Sequence, residues 1–146
     1  MKVHNECRLE FPSRSSNESF ARMAAAAFAA QLDPSLEELE DIKTAVSEAV
    51  TNCIVHAYPQ EMGKIRLRLR ILEGGVLEIL VQDWGRGIED IEKAREPLFT
   101  TGGDSRGGMG FTIMESFTDK LRVRSRPGKG TAVIMQRQIR PRTRRP

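Results

Sequence analysis

Hydrophobic and polar positions along the chain alternate with two different periods. Leu9 and Phe11 flank Glu10 in a short alternating stretch, which predicts a first strand. From Ser15 the spacing becomes helical. Phe20, Met23, Ala24, Ala27 and Phe28 form an apolar stripe, and Ser15 with Glu18 has capping-box spacing, so a helix is predicted through Gln31. Asp33-Pro34 breaks it. Ser35 and Glu38 repeat the capping signal and open a second, longer helix that ends near Tyr58-Pro59. Its predicted buried face is Leu36, Leu39, Ile42, Val46, Ala49, Val50, Cys53 and Ile54. After Gly63 the period returns to two. Ile65, Leu67, Leu69 and Ile71 point one way, and Arg66, Arg68 and Arg70 the other. Gly74-Gly75 is a tight hairpin turn. Leu77, Ile79 and Val81 alternate with Glu78 and Gln82 in the returning strand, which stops at Asp83.

From Trp84 to Gly110 the chain is rich in glycine, threonine and charge, and only Asp90 to Arg95 reads as helical. A connection of this length is functional or disordered. Phe111 to Phe117 reads as a helix that begins directly after glycines. Leu121 to Ser125 and Thr131 to Gln138 read as strands, with Pro127-Gly128 turning between them. The order is strand, two helices, hairpin, glycine-rich loop, helix, hairpin. It predicts an α+β two-layer sandwich: a mixed, mostly antiparallel sheet covered by helices on one face. The Arg66, Arg68 and Arg70 row then reads as a solvent-facing sheet surface.

The 146 residues suit one domain, expected over 1–139, followed by a basic tail at 140–146. A 39% hydrophobic and 29% charged composition fits a globular protein. No run approaches the roughly 20 apolar residues that span a bilayer. Met1 to Glu10 is polar and charged, unlike a signal peptide, so a cytoplasmic chain without membrane contact is expected. Cys7 and Cys53 form no metal-binding pattern and are read as two reduced thiols. The net charge of +3 comes from Arg140, Arg142, Arg144 and Arg145 at the end of the chain, and the remainder is close to neutral. The tail reads as a solvated terminus. No basic stripe is interleaved with aromatics, so no direct nucleic-acid contact is expected.

Four short motifs carry candidate chemistry. In Glu48-Ala-Val-Thr-Asn52, Glu48 and Asn52 are four apart and share a helix face at the margin of the apolar stripe. A carboxylate there can orient or deprotonate an attacking hydroxyl. An amide oxygen can ligate Mg2+. The plain alternative is two ordinary polar helix residues. In Asp83-Trp-Gly-Arg-Gly87, a carboxylate ends an apolar strand where it gains little from packing. Gly85 and Gly87 allow tight turns and close approach of a ligand, or mark a simple strand-to-loop turn. Gly107-Gly108-Met-Gly110 precedes a helix, whose free amides and dipole suit phosphate oxygens. The lysine-bearing phosphate-loop pattern is absent. In Gly128-Lys-Gly-Thr131 a turn is followed by a β-branched strand residue. His56, four residues after Asn52, reads as a half-buried structural histidine.

Taken together and in this order, the motifs resemble the ATP site of the GHKL superfamily, the Bergerat fold of gyrase, Hsp90, MutL and histidine-kinase catalytic domains. The resemblance implies ATP or ADP with Mg2+. It implies Glu48 as general base and Asn52 as metal ligand. Asp83 would accept a hydrogen bond from the adenine amino group, selecting adenine over guanine, and Thr131 would lie near adenine and its bridging water. Gly85, Gly87, Gly108 and Gly110 would shape the nucleotide pocket. The segment from about Pro97 to Gly110 resembles an ATP lid, in which Thr100, Thr101, Ser105 and Arg106 would touch phosphates. Arg106 is the candidate for the γ-phosphate, through charge-assisted bonds.

Gyrase, MutL and Hsp90 ATPase regions are followed by further domains, whereas a short chain of this kind resembles the bacterial anti-sigma kinases. Asn17-Glu-Ser-Phe-Ala-Arg22, Ser47-Glu-Ala-Val-Thr-Asn52, Glu96-Pro-Leu-Phe-Thr-Thr101 and Gly108-Met-Gly-Phe-Thr-Ile-Met-Glu115 are similar to the anti-sigma-F family of endospore-forming bacteria. The likeness runs from about Glu10 to Gln138. It implies a homodimer that, with ATP bound, holds the sporulation sigma-F factor inactive. It also implies phosphorylation of a serine on a small anti-anti-sigma protein, which when unphosphorylated displaces the sigma factor. Arg22 is the candidate sigma contact, and the N-terminal strand with the first helix is the candidate dimer surface. The lid stretch Gly102-Gly103-Asp-Ser-Arg-Gly107 is unusually glycine-rich for this family, and the arginine tail lies outside the likeness. Two alternatives stand beside this reading. One is a nucleotide-gated binding module without significant kinase activity. The other is a detached histidine-kinase catalytic domain.

Overall fold

The computed structural model describes residues 1–88 and 110–140. The helix expected at Asp90 to Arg95 and the tail beyond residue 140 lie outside them. The strands are β1 (Val3–Pro12), β2 (Lys64–Leu72), β3 (Val76–Asp83), β4 (Lys120–Arg126) and β5 (Gly130–Gln138). The helices are α1 (Ser16–Ala29), α2 (Leu36–Asn52) and α3 (Gly110–Phe117).

The five strands form one sheet in the order β1-β2-β3-β5-β4. All four pairings among the described residues are antiparallel, which narrows the expected mixed, mostly antiparallel sheet to an antiparallel one. Two of these pairs are hairpins, for which antiparallel pairing is the short-loop solution. Between β1 and β2 the two-helix excursion returns to the end of the sheet that it left. Pro12 pairs with Lys64, and Ser13 N donates to Gly63 O at 2.8 Å.

Alternation puts Ile65, Leu67 and Leu69 of β2, Leu77, Ile79 and Val81 of β3, and Val133 and Met135 of β5 in one buried layer. Ile42, Val46 and Val50 of α2 and Met114 of α3 complete it. Each fully buried side chain of this size contributes about 1.5–3 kcal/mol. The central helix α2 packs against both α1 and α3. Its capping box forms: Ser35 Oγ accepts from Glu38 N at 3.0 Å, and Glu38 Oε1 accepts from Ser35 N at 2.9 Å. Leu36, expected in the buried face, is 79% exposed: six residues before Ile42, it lies about a third of a turn round the helix from it. Leu39 and Ile54 are half-buried at the rim of the core.

Helix α1 departs further from expectation. Ser15 has a helical backbone and makes no side-chain cap; Glu18 pairs with Arg22 at 3.3 Å instead. The buried face is Ala21, Ala25, Phe28 and Ala29, while Phe20 and Met23 are 52% and 56% exposed. Small side chains at Ala21, Ala25 and Ala29 lie one turn apart and let α1 lie close on its neighbours. Phe20 instead meets Phe11 edge-on at 6.3 Å.

On the open sheet face the arginine row is an ion-pair network. Arg66 pairs with Glu10 at 2.6 Å, Arg68 with Glu78 at 3.3 Å, and Arg70 with Glu6. The Arg66 and Arg70 guanidinium groups hold the Glu10 and Glu6 carboxyls below the usual range. Across the middle of this face run Arg8, Arg68, Leu80, Ile134 and Arg122 in register. Leu80 and Ile134 are buried although they point away from the main core. Long arginine stems shield apolar surface in this way. On the helical side, Arg137 joins the layers: Nη1 lies 2.8 Å from Asp41 on α2 and donates to Phe117 O on α3 at 2.7 Å.

Candidate functional site

The alternation of β3 points a core position at residue 83, and the sequence places a carboxylate there. Asp83 is 4% exposed. Its Oδ1 accepts from Gly85 N at 3.0 Å and from Thr131 N at 3.2 Å. Its Oδ2 accepts from Cys53 Sγ at 3.4 Å. Burial pushes the carboxyl above its usual range, and the Gly85, Cys53 and Thr131 donors partly offset this. Burial, and then the Asp83 charge, push the Cys53 thiol well up, so it remains protonated and donates.

Three elements meet at this carboxylate. Asp83 ends β3 and sits opposite Thr131, near the start of β5. Cys53 follows Asn52, the last residue of α2, and opens a π-helical turn over Cys53–Ala57. Glu48 and Asn52 are half-buried on the last turns of α2, and Gly110 opens α3, which packs on α2. The structure therefore joins Asp83, Gly85 and Thr131 by direct hydrogen bonds. It places Glu48, Asn52 and Gly110 on elements packed around them. Thr100, Thr101, Arg106 and Gly108 lie outside the described residues.

Gly85 and Gly87 have a visible local reason. A Cβ on Gly85 would sit 2.4 Å from Ala57 O, and one on Gly87, at φ 77°, 2.1 Å from Arg126 O. The close approach they permit here is to the protein's own backbone. Arg86 N donates to Ala57 O at 3.3 Å, and Gly128 N to Arg86 O at 2.7 Å. The turn after Asp83 is thereby stitched to the π turn on one side and to the β4–β5 hairpin on the other.

Sequence reasoning missed three residues of this scaffold. The sequence pattern shows Cys53 only as a reduced thiol on an apolar helix face. Tyr58 was read only as a helix stop. Its buried hydroxyl donates to Lys64 O at 2.8 Å and accepts from Trp84 N at 2.7 Å, pinning the residue after Asp83. The Trp84 ring carries Lys64 Nζ at 4.4 Å and Arg66 at 5.2 Å. Ser125 is the third. Its Oγ accepts from Ile88 N at 2.8 Å, donates to Gly130 O at 3.0 Å and lies 2.7 Å from Thr131 Oγ1. Ser125 has one proton, and it goes to Gly130, so Thr131 donates in that last pair and keeps acceptor capacity on its own oxygen. No spacing rule signals the Cys53 and Tyr58 contacts, whereas the Ser125–Thr131 pair follows the register of the β4–β5 hairpin.

The remaining candidates lie on α1 and in the π turn. Arg22 is on α1, with Nη1 3.3 Å from Glu18 and Nη2 3.3 Å from Ser19 Oγ. His56 is half-buried within the π turn. Both cysteines are free thiols. Among the described residues there is no group of three His, Cys, Asp or Glu side chains that would hold a metal by themselves. A single amide oxygen such as that of Asn52 fits Mg2+, which keeps waters and binds largely through substrate phosphates.

A buried, ionisable acceptor held by backbone amides is suited to reading an N–H donor on a planar base. Comparisons with known proteins agree with a nucleotide site. The family described as "Histidine kinase-like ATPase domain" matches residues 11–137. An anti-sigma F factor of Caldanaerobacter subterraneus is 58% identical over 95% of this chain and 97% of its own length. One from Geobacillus kaustophilus is 53% identical over 94% of each chain. Among solved structures, the RsbU and RsbW domains of Rv1364c from Mycobacterium tuberculosis superpose with a TM-score of 0.69 at 18% identity. That match covers 94% of this chain and 33% of the other, and it supports the fold alone.

Proposed function

This chain belongs to the histidine kinase-like ATPase domain family, among its anti-sigma F factors, and from that premise we propose that it is an ATP-dependent protein serine kinase that sequesters a sigma factor. Family membership makes it a kinase-like, nucleotide-binding protein. The finer reading assigns its target, a serine of an anti-anti-sigma protein, and its captive, sigma-F. The observation that carries it is Asp83: a buried carboxylate whose Oδ1 is taken by two backbone amides and whose Oδ2, among the described residues, meets only a thiol donor.

In this mechanism Asp83 Oδ2 accepts from the 6-amino group of adenine, and a guanine carbonyl at that place would face it acceptor to acceptor. Thr131 supports the base beside it. Asn52 would hold Mg2+, which when bound neutralises charge on the phosphates. Gly110 opens α3 and would offer its backbone amide to phosphate oxygens, and Gly108 is proposed to contribute to the same contact. Thr100, Thr101 and Arg106 are proposed to touch the same oxygens. Glu48 orients the substrate serine and takes its proton. The serine oxygen attacks the γ-phosphorus in line, the bond from phosphorus to the bridging oxygen breaks, and ADP leaves. Most of the rate then comes from positioning and charge stabilisation.

The partner surfaces are also part of the proposal. A homodimer is supported by the position of β1 at the edge of the sheet formed by the described residues and by exposed Phe20 and Met23 on α1. Arg22 shares that helix and is the proposed sigma contact. Among the described residues no helix is long and apolar enough to cross a membrane, and a cytoplasmic location is proposed.

The test is transfer of label from γ-labelled Mg2+-ATP to a candidate anti-anti-sigma protein. Acid-stable label on one serine is expected. Glu48→Ala should abolish transfer and retain nucleotide binding. ATP binding without transfer by the unaltered protein overturns the kinase reading in favour of a nucleotide-gated binding module. Acid-labile label points instead to histidine.

A further inference from the structure

The carboxylate of Asp83 is fastened unevenly. Gly85 N and Thr131 N both reach Oδ1, from the turn after β3 and from β5. Two bonds to one oxygen locate that oxygen but leave the group free to swing about it. Among the described residues one donor locates Oδ2, the Cys53 thiol, which approaches from the end of α2 at 3.4 Å. Cys53 is 5% exposed, so bulk water does not compete for the contact. We propose that Cys53 is a positioning residue for nucleotide selection: its thiol proton fixes the orientation of the Asp83 carboxylate and so aims Oδ2 at the 6-amino group of adenine. This rests on Asp83 being the adenine acceptor.

The geometry gives the thiol a role that an apolar residue of the same volume cannot fill. A carboxylate oxygen accepts more than one hydrogen bond, so the thiol occupies one direction at Oδ2 and leaves another for the base. Sulfur is a weak donor, and its long bond steers Oδ2 without saturating it. The placement at the first residue of the π-helical turn also matters. That turn accepts the backbone of the Asp83 loop through Ala57 O, so the thiol and the loop are set by the same local backbone. Asn52 is the preceding residue. The base-reading end of the site and its proposed metal-holding end are therefore one peptide bond apart.

The experiment compares two nucleotides on the full chain by calorimetry with Mg2+. One is ATP. The other is purine riboside triphosphate, which has hydrogen in place of the 6-amino group. Wild type should prefer ATP. Cys53→Ala should weaken ATP binding about 2- to 10-fold, the worth of one hydrogen bond from a weak donor, and leave purine riboside triphosphate unchanged. Cys53→Ser, which keeps a donor, should regain ATP preference. Cys53→Val is a second donorless variant of similar volume and carries the test if the alanine protein does not fold. Equal weakening of both nucleotides in the donorless variants would mean a packing role and overturn the proposal, as would an undiminished ATP preference. A wild type that binds the two nucleotides equally overturns the Asp83 reading, and the Cys53 role with it. A wild type that discriminates while the variants still do so overturns only the role of Cys53.

Discussion

Replacing Asp83 by Asn separates what this residue does for the fold from what it does for the nucleotide. The amide oxygen can take the place of Oδ1 and keep the bonds from Gly85 N at 3.0 Å and Thr131 N at 3.2 Å. The NH2 then falls where Oδ2 was and meets the adenine amino group donor to donor. Loss of a hydrogen bond to a charged acceptor costs about 1.5–3 kcal/mol. At 1.4 kcal/mol per factor of ten, the Kd for ATP should rise about 10- to 150-fold. Stability of the nucleotide-free fold should hold or increase, because burial already disfavours the ionised carboxyl and the amide removes that charge. Inosine triphosphate, whose 6-oxo group accepts, should lose far less affinity than ATP, or gain. Calorimetry with both nucleotides and urea melts of the free protein read out all three effects. An ATP affinity within about twofold of wild type would refute the reasoning, since no hydrogen bond of charged character could then lie there. A matched loss for ATP and inosine triphosphate would refute it too.

Tyr58→Phe should lower stability by about 1–3 kcal/mol in urea melts, because Lys64 O and Trp84 N lose their shared partner. A loss below about 0.5 kcal/mol would mean that water replaces the hydroxyl. Ser35→Ala should cost about 1 kcal/mol through its formed capping box, whereas Ser15→Ala should change stability by no more than a few tenths, as it makes no cap bond. Equal losses would contradict the difference between the two helix starts. The raised Asp83 carboxyl sets opposite signs for two pH profiles. Between its unfolded and folded values the folded chain binds more protons, so the Asp83 contribution to free-protein stability rises as pH falls. ATP binding needs the ionised acceptor and weakens over the same interval. The lowered Glu6 and Glu10 contribute with the reverse sign, present above their unfolded values and lost on acidification. Subtracting the Asp83→Asn curves isolates the Asp83 part, and a difference that does not vary with pH would count against it.

Much of the fold was legible because the sheet strands alternate cleanly. Ile65 to Ile71 and Leu77 to Val81 fall on the core face as their period demands. The position of Asp83 at the end of β3 was likewise readable from a carboxylate terminating an apolar strand. Helix α1 was readable in existence but not in phase. Its buried contacts are alanines, which carry little hydrophobic weight, so Phe20 and Met23 dominated the period while facing outward. Strand β1 begins at Val3, well before the apolar pair at Leu9 and Phe11, because an edge strand held by Glu6–Arg70 and Glu10–Arg66 pairs needs little apolar alternation. The scaffold around the carboxylate was not legible. Cys53 and Tyr58 act across separations of 30 and 26 residues, on Asp83 and Trp84 respectively, and no local pattern encodes such contacts; only the Ser125–Thr131 pair, six residues apart across a hairpin, was within reach of one.

The roof of arginine over Leu80 and Ile134 alters how charge scanning of this protein must be interpreted. An alanine at Arg68 removes a cation and, in the same stroke, wets Leu80, its aliphatic neighbour on the next strand. Self-association or precipitation in such a variant would then report lost waterproofing and not a lost partner contact. Methionine at that position, with a long apolar stem and no charge, would keep the strip dry and reveal what the charge alone contributes.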